Sequence, residues 1–218
     1  MSGTETGPRT GHGTRLGFQH RFHPATRPGR PPLLLLHGTG GDEDDLLPLG
    51  EAVAPGSALL SPRGQVLENG MPRFFRRLAE GVFDEADLRR RTDDLAAFIR
   101  DAQGAYGLEA PVALGFSNGA NIAVALLLRH PGLLRGAVLL RAMQPFRDEE
   151  PIPPPGLDGT PVLLLLGTAD PIVPAANSEG LAARLRQAGA GVERHALPVG
   201  HGLSQMDLSL ARAWLDRL

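Results

Sequence analysis

The chain has 218 residues, no cysteine and a formal net charge of −2 at pH 7. That length allows a single domain burying about 70% of the surface its unfolded chain exposes, and the lack of cysteine excludes disulfides, thiol nucleophiles and zinc–thiolate sites. All 22 basic residues are arginine and they form no basic stripe, which argues against nucleic acid as a partner and excludes Schiff-base and lysine-assisted serine chemistry.

Residues 1–13 are rich in glycine and threonine, with no apolar side chain after Met1, and are expected to form a disordered tail. They lack the hydrophobic stretch of a signal peptide, and no later apolar run approaches transmembrane length, so the cytoplasm is the expected compartment. Thr14 to Phe22 puts Leu16, Phe18, His20 and Phe22 on one face at period two, which predicts an antiparallel edge strand. After a turn-rich connector at Arg27 to Pro32, strands are expected at Leu33–Leu36, Ala58–Ser61, Val112–Gly115, Ala137–Leu140, Val162–Leu166 and Val192–Ala196. They alternate with helices, the rhythm of a mostly parallel sheet covered on both faces, so residues 14–218 read as one α/β domain. The acidic stretch Gly40 to Asp45 is expected to open a helix reaching Val53, its carboxylates set against the positive helix start. From Glu85 to Gly104 a longer helix carries Leu88, Leu95, Phe98, Ile99 and Ala102 as its apolar stripe.

Gly115-Phe116-Ser117-Asn118-Gly119 lies between an expected strand and an almost wholly apolar helix expected at Ala120 to Leu128. A serine with a glycine two residues to either side, at a strand-to-helix turn, is a nucleophile elbow. The strained turn pushes Oγ out above the sheet edge, and a Cβ at either glycine would strike the strand or the helix. An ordinary strand–turn–helix connection is the plainer alternative, and the order of the partners decides against it. Asp170 stands just past the next long apolar strand, where the catalytic groups of open α/β sheets collect. Asp158 precedes its strand and Asp207 falls inside the last helix, so neither fits as well. His201, in Pro198-Val199-Gly200-His201-Gly202, follows the last strand and precedes a helix expected over Leu203 to Leu218. His12, His20 and His23 precede the first core strand, His130 ends a helix and His195 lies inside a strand. His37 belongs to Leu33 to Gly41, a buried strand entering a glycine-rich loop, where this kind of fold supplies an oxyanion donor. By position the two donors are the backbone amides of Thr39 and Asn118. A phosphate cradle at the same loop would need a lysine, and the chain has none.

LLLLHGTGGDEDDLLPL at 33–49, together with GFSNG, GTADPIVP and GHGL, resembles the carboxylesterase/phospholipase family of small α/β hydrolases, which includes acyl-protein thioesterases and lysophospholipases. The resemblance covers nearly all of the chain from residue 30 onward. Ser61 to Gly64 and Asn69 to Arg77 are similar to its bacterial MhqD-like branch. No insertion in the chain is long enough for a separate cap domain. The resemblance implies an α/β-hydrolase fold, a Ser117–His201–Asp170 triad, and oxyanion amides at Thr39 and Asn118. It further implies a small-molecule ester substrate, no cofactor and no metal, and assembly as a homodimer. Asn118 departs from the thioesterases, where glutamine commonly follows the serine.

Basic and aromatic residues gather where the site rim is expected. Phe74 or Phe75 is expected to line an acyl or aryl pocket, and Arg73 or Arg141 to stand beside a polar or anionic substrate end. Ordinary core packing and structural ion pairs are the plainer alternative for these residues. Glu68 to Phe83 is expected as one roofing loop over the site, and the proline- and acid-rich loop 143–156 as a second. The function that follows is hydrolysis of small acyl or aryl carboxylic esters through an acyl-enzyme, with the rate rising with pH as His201 loses its proton. Acyl thioesters or lysophospholipids are the alternative substrates, and a non-catalytic ligand-binding protein on the same fold is the alternative of another class. Fluorophosphonate labelling separates the last from the rest, because only an activated serine reacts.

Overall fold

Aliphatic runs bounded by glycine and proline supply the strands, and the segments between them supply the helices. The computed structural model describes residues 11–12, 16–147 and 156–218. The elements begin with β1 (Gly11–His12), β2 (His20–His23), β3 (Leu33–Leu36), α1 (Leu47–Val53) and β4 (Leu59–Pro62). Two short hairpins follow, β5 (Val66–Glu68) with β6 (Met71–Arg73) and β7 (Arg77–Ala79) with β8 (Val82–Phe83). Then come α2 (Glu85–Tyr106), β9 (Val112–Phe116), α3 (Asn118–Arg129), β10 (Gly136–Leu140), β11 (Pro161–Gly167), α4 (Ala175–Gln187), β12 (Gly191–Leu197) and α5 (Gln205–Leu215).

The main sheet has eight strands in the order β1-β2-β4-β3-β9-β10-β11-β12. From β4 to β12 every neighbouring pair is parallel, while β1 and β2 join antiparallel at one end. This is the mostly parallel, two-sided arrangement that the alternating pattern predicts. Successive side chains of a strand point to opposite faces, and β3 shows the consequence. Leu33 and Leu35 pack with Val53 of α1 and Trp214 of α5, whereas Leu34 and Leu36 pack with α2, α3 and α4. Strands buried on both faces need no polar alternation. Helix α3 lies between the sheet and α2, and every residue from Asn118 to Leu128 is buried, which accounts for its missing polar face.

Three expectations are corrected. The acidic stretch does not open a helix: α1 begins only at Leu47, with no acidic residue in its first turn. Its carboxylates face arginines instead. Arg63 bonds the buried Glu43 and lies near Asp42, while Arg21 holds Asp44 at 2.6 and 2.8 Å. Desolvation alone would raise the Glu43 pKa, but the bonds from Arg63 and Gln19 hold it below the usual carboxylate range. Next, Gly11–His12 forms a strand inside the tail expected to be disordered, the rest of which lies outside the described residues. That strand pairs along β2, so β2 is not the edge of the sheet. Finally, the segment from Glu68 to Phe83, expected as a loop, belongs to two hairpins that span residues 66–83. No helix among the described residues is long and apolar enough to cross a membrane.

Candidate active site

The end of β9 turns directly into α3 at Ser117, whose φ of 52° is one of three positive values at non-glycine positions among the described residues. Two glycines make this turn sterically feasible. A Cβ at Gly115 would lie 2.7 Å from the Cα of Ala120, and one at Gly119 only 2.0 Å from the carbonyl oxygen of Leu36. Helix α3 can therefore seat against the ends of β9 and β3, and the strain that lifts the serine is held by that packing.

The loops after β11 and β12 meet Ser117 from the other side. Nε2 of His201 is 2.9 Å from Ser117 Oγ, and Nδ1 is 2.8 Å from Asp170 Oδ2. A carboxylate only accepts, so Nδ1 carries the proton and Nε2 is left to accept from the hydroxyl. The Asp170 side chain is fully buried, and its Oδ1 accepts from the amides of Ile172 at 2.8 Å and Val173 at 3.1 Å. The structure thus brings together the three side chains expected from sequence. Neither the Thr39 nor the Asn118 backbone amide donates to any acceptor among the described residues.

The first hairpin and its flanks tie the glycine-rich loop after β3 to the elbow. Gly64 N donates to His37 Nε2 at 2.9 Å, Gly40 N to the Pro72 carbonyl at 3.0 Å, and Arg73 Nη1 to Thr39 Oγ1 at 2.7 Å. Phe74 N donates to Asn118 Oδ1 at 2.7 Å, which gives the residue after the serine a scaffolding job. Burial pushes the His37 pKa below the ordinary imidazole value, and the bond to the Gly38 carbonyl only partly offsets this. A neutral ring is what the Gly64 bond requires, because Nε2 must accept there.

Ser117 and His201 open into a cavity of about 250 Å³ that is also bordered by Arg73, Phe83, Phe116 and Asn121. Arg73, expected at the site rim, borders the cavity. Phe74 and Phe75 do not: they are 2% and 0% exposed, packed on His37 and on Phe83 respectively. The Phe74 amide bond to Asn118 turns this stretch inward, so Phe83 and Phe116 supply the aromatic walls instead. Of the second expected roof loop, residues 148–155 lie outside the described residues.

Arg141, also expected at the rim, does not border the cavity. It is 1% exposed, at a φ of 56°, and its guanidinium binds both oxygens of Asp207 at 2.8 Å. It also donates to the carbonyls of Gly200 at 3.1 Å and Gly202 at 2.9 Å, the residues flanking His201. A buried arginine at the end of β10 therefore braces the histidine loop from beneath. Desolvation raises the Asp207 pKa, but the Arg141 and Ser204 bonds outweigh it and hold it below the usual range.

A mostly parallel sheet that presents a serine elbow at the strand ends, with histidine and aspartate on later loops, defines an α/β hydrolase. The family model described as Phospholipase/Carboxylesterase matches residues 21–218. This chain belongs to that family. It is 47% identical over 184 residues to MhqD of Bacillus subtilis (strain 168), covering 84% of this chain and 90% of that protein. Among solved structures it is similar to the Bacillus cereus carboxylesterase, with 46% identity and a TM-score of 0.89, covering 94% and 96% of the two chains. A carboxylesterase from Mesorhizobium loti is 35% identical with a TM-score of 0.86, covering 93% and 96%.

Proposed function

We propose that this protein is a serine hydrolase that cleaves small acyl or aryl carboxylic esters, with Ser117, His201 and Asp170 as its triad. The observation that carries the reading is the continuous hydrogen-bonded series from Asp170 Oδ2 through His201 to Ser117 Oγ, at 2.8 and 2.9 Å. His201 Nε2 takes the serine proton as Oγ bonds to the ester carbonyl carbon, and the Thr39 and Asn118 amides receive the oxyanion. The tetrahedral species collapses, the C–O bond to the leaving group breaks, and His201 returns the proton to the departing alkoxide. Water then attacks the acyl-enzyme with the same base, releasing the carboxylic acid and restoring the hydroxyl. Asp170 keeps the proton on Nδ1 and stabilises the imidazolium formed in each half-reaction.

Membership in a phospholipase/carboxylesterase family leaves thioester or lysophospholipid cleavage as the second reading. The cavity of about 250 Å³ favours compact acyl or aryl groups. Fluorophosphonate labelling alongside p-nitrophenyl acetate hydrolysis tests the chemistry. Wild type is expected to label on Ser117 and turn over, and Ser117→Ala to do neither. Labelling elsewhere, or ester hydrolysis by Ser117→Ala within about tenfold of wild type, rules out the mechanism. A panel of p-nitrophenyl esters of rising chain length, with a thioester and a lysophospholipid, ranks the substrates.

A further inference from the structure

Three buried polar side chains stand beside Ser117 at its cavity. Asn118 and Asn121 are 2% and 4% exposed, and each turns its carboxamide oxygen onto a backbone amide. Asn118 Oδ1 accepts from Phe74 N and Asn121 Oδ1 from Met143 N, each at 2.7 Å. A backbone N–H only donates, so neither carboxamide can be flipped, and the NH2 ends are the ones left over. Nδ2 of Asn118 is buried without an acceptor, and Nδ2 of Asn121 donates to no described residue either.

Arg73, 3% exposed, is the third. Its Nη1 goes to Thr39 Oγ1 and its Nε to the Phe75 carbonyl, while Nη2 donates to no acceptor among the described residues. Arg73 and Arg77 share a single carboxylate, Glu68, at 3.1 and 2.9 Å. Burial lowers the Arg73 pKa, Glu68 opposes that, and Arg77 adds to it. Glu80 also borders the cavity, but it is exposed at the mouth. Asn118 Nδ2 is buried away from the cavity, so the polar wall beside the serine presents donors from the Arg73 guanidinium and the Asn121 NH2 group. A plain hydrocarbon acyl group would leave both unpaired, and a buried donor without a partner costs binding.

We propose that this cavity selects compact esters carrying a second oxygen acceptor, a carboxylate above all, which Arg73 and Asn121 receive while Ser117 attacks the ester carbonyl. The inference rests on the hydrolase reading and names the substrate class of that site. A site built to pair a polar substrate group discriminates sharply against an analogue lacking it.

Three methyl esters of nearly the same shape test it: monomethyl succinate, methyl 4-oxopentanoate and methyl 4-methylpentanoate, which end in a carboxylate, a ketone and an isopropyl group. The expected kcat/KM falls in that order, with about 10–100-fold between the first and the last. Equal values, or the hydrocarbon ester leading, overturn the proposal. Asn121→Asp keeps an oxygen for Met143 N but turns the cavity-facing donor into an acceptor, so the ratio of first to last ester is expected to fall toward one. An unchanged ratio in both Asn121→Asp and Arg73→Gln refutes the assigned contacts. Calorimetry on Ser117→Ala reads selection without chemistry, and tighter binding of methyl 4-methylpentanoate than of monomethyl succinate sinks the inference by itself. Absence of both fluorophosphonate labelling and p-nitrophenyl acetate turnover in wild type is a failure of the hydrolase reading instead.

Discussion

Arg141→Met is the substitution whose outcome the structure specifies most closely. The guanidinium is buried, pairs with both oxygens of the equally buried Asp207, and donates to the Gly200 and Gly202 carbonyls on either side of His201. Removing one partner of a buried pair leaves the other charge without compensation, which costs about 3–5 kcal/mol. For a chain of this size that lowers the melting temperature by roughly 10 °C. Two further carbonyls lose their donor, so the histidine loop loosens even where the fold survives. A displacement near 1 Å at a reacting group costs about 10²-fold in rate, so kcat is expected to drop while KM changes little. The double variant Arg141→Met/Asp207→Leu removes both charges and is expected to recover much of the stability but not the kcat. The assays are thermal unfolding, steady-state kinetics on p-nitrophenyl acetate, and the rate of fluorophosphonate labelling. A single variant that melts within about 2 °C of wild type with kcat unchanged would refute the brace, as would full recovery of kcat in the double variant.

Other outcomes follow from the same geometry. Asp170→Asn preserves the shape but lets Nδ1 lose its proton to the wrong tautomer, so kcat is expected to fall by about 10⁴; a loss under about tenfold would remove the orienting role. Gly119→Ala drives a Cβ to 2.0 Å from the Leu36 carbonyl oxygen, a backbone clash beyond the usual 1–3 kcal/mol or so of overpacking, and a normally stable, active variant would contradict the elbow packing. His37 is harder to protonate folded than unfolded. The unfolded chain therefore binds more protons as pH drops below about 6.5, and stability falls there; denaturant titrations of wild type and His37→Gln at pH 7 and pH 5 should show a smaller loss in the variant. Asp207 has the opposite charge type and the same sign of dependence: its pKa is depressed, so its stabilisation is present above about pH 4 and is lost as pH falls through the folded-state value. An acid transition that does not shift in Arg141→Met/Asp207→Leu would count against that assignment.

Much of the site was legible because its components are local. A strained serine turn needs glycines at fixed offsets, and those offsets survive in the primary order whatever the rest of the chain does. Strands buried on both faces read as continuous aliphatic runs, so the loops after β11 and β12, with Asp170 and His201, could be placed by counting strands. The acidic stretch misled for a physical reason. Carboxylates before an apolar run look like helix caps, yet Arg21 and Arg63 from other elements engage them first.

Side-chain direction in the long insertion between β4 and α2 was not legible. Whether Phe74 or Phe83 faces the serine depends on the hairpin register and on one bond from Phe74 N to Asn118, and neither has a sequence period. The role of Arg141 was equally hidden, since its partner Asp207 is 66 residues away and nothing near position 141 reveals it. Composition, aliphatic runs and glycine spacing determined the α/β layering and the order of Ser117, Asp170 and His201 along the chain, because each depends on short-range geometry. Only the tertiary structure decided which side chains line the cavity, which way the carboxamides point and what braces the histidine loop, because these depend on pairings between segments brought together by folding.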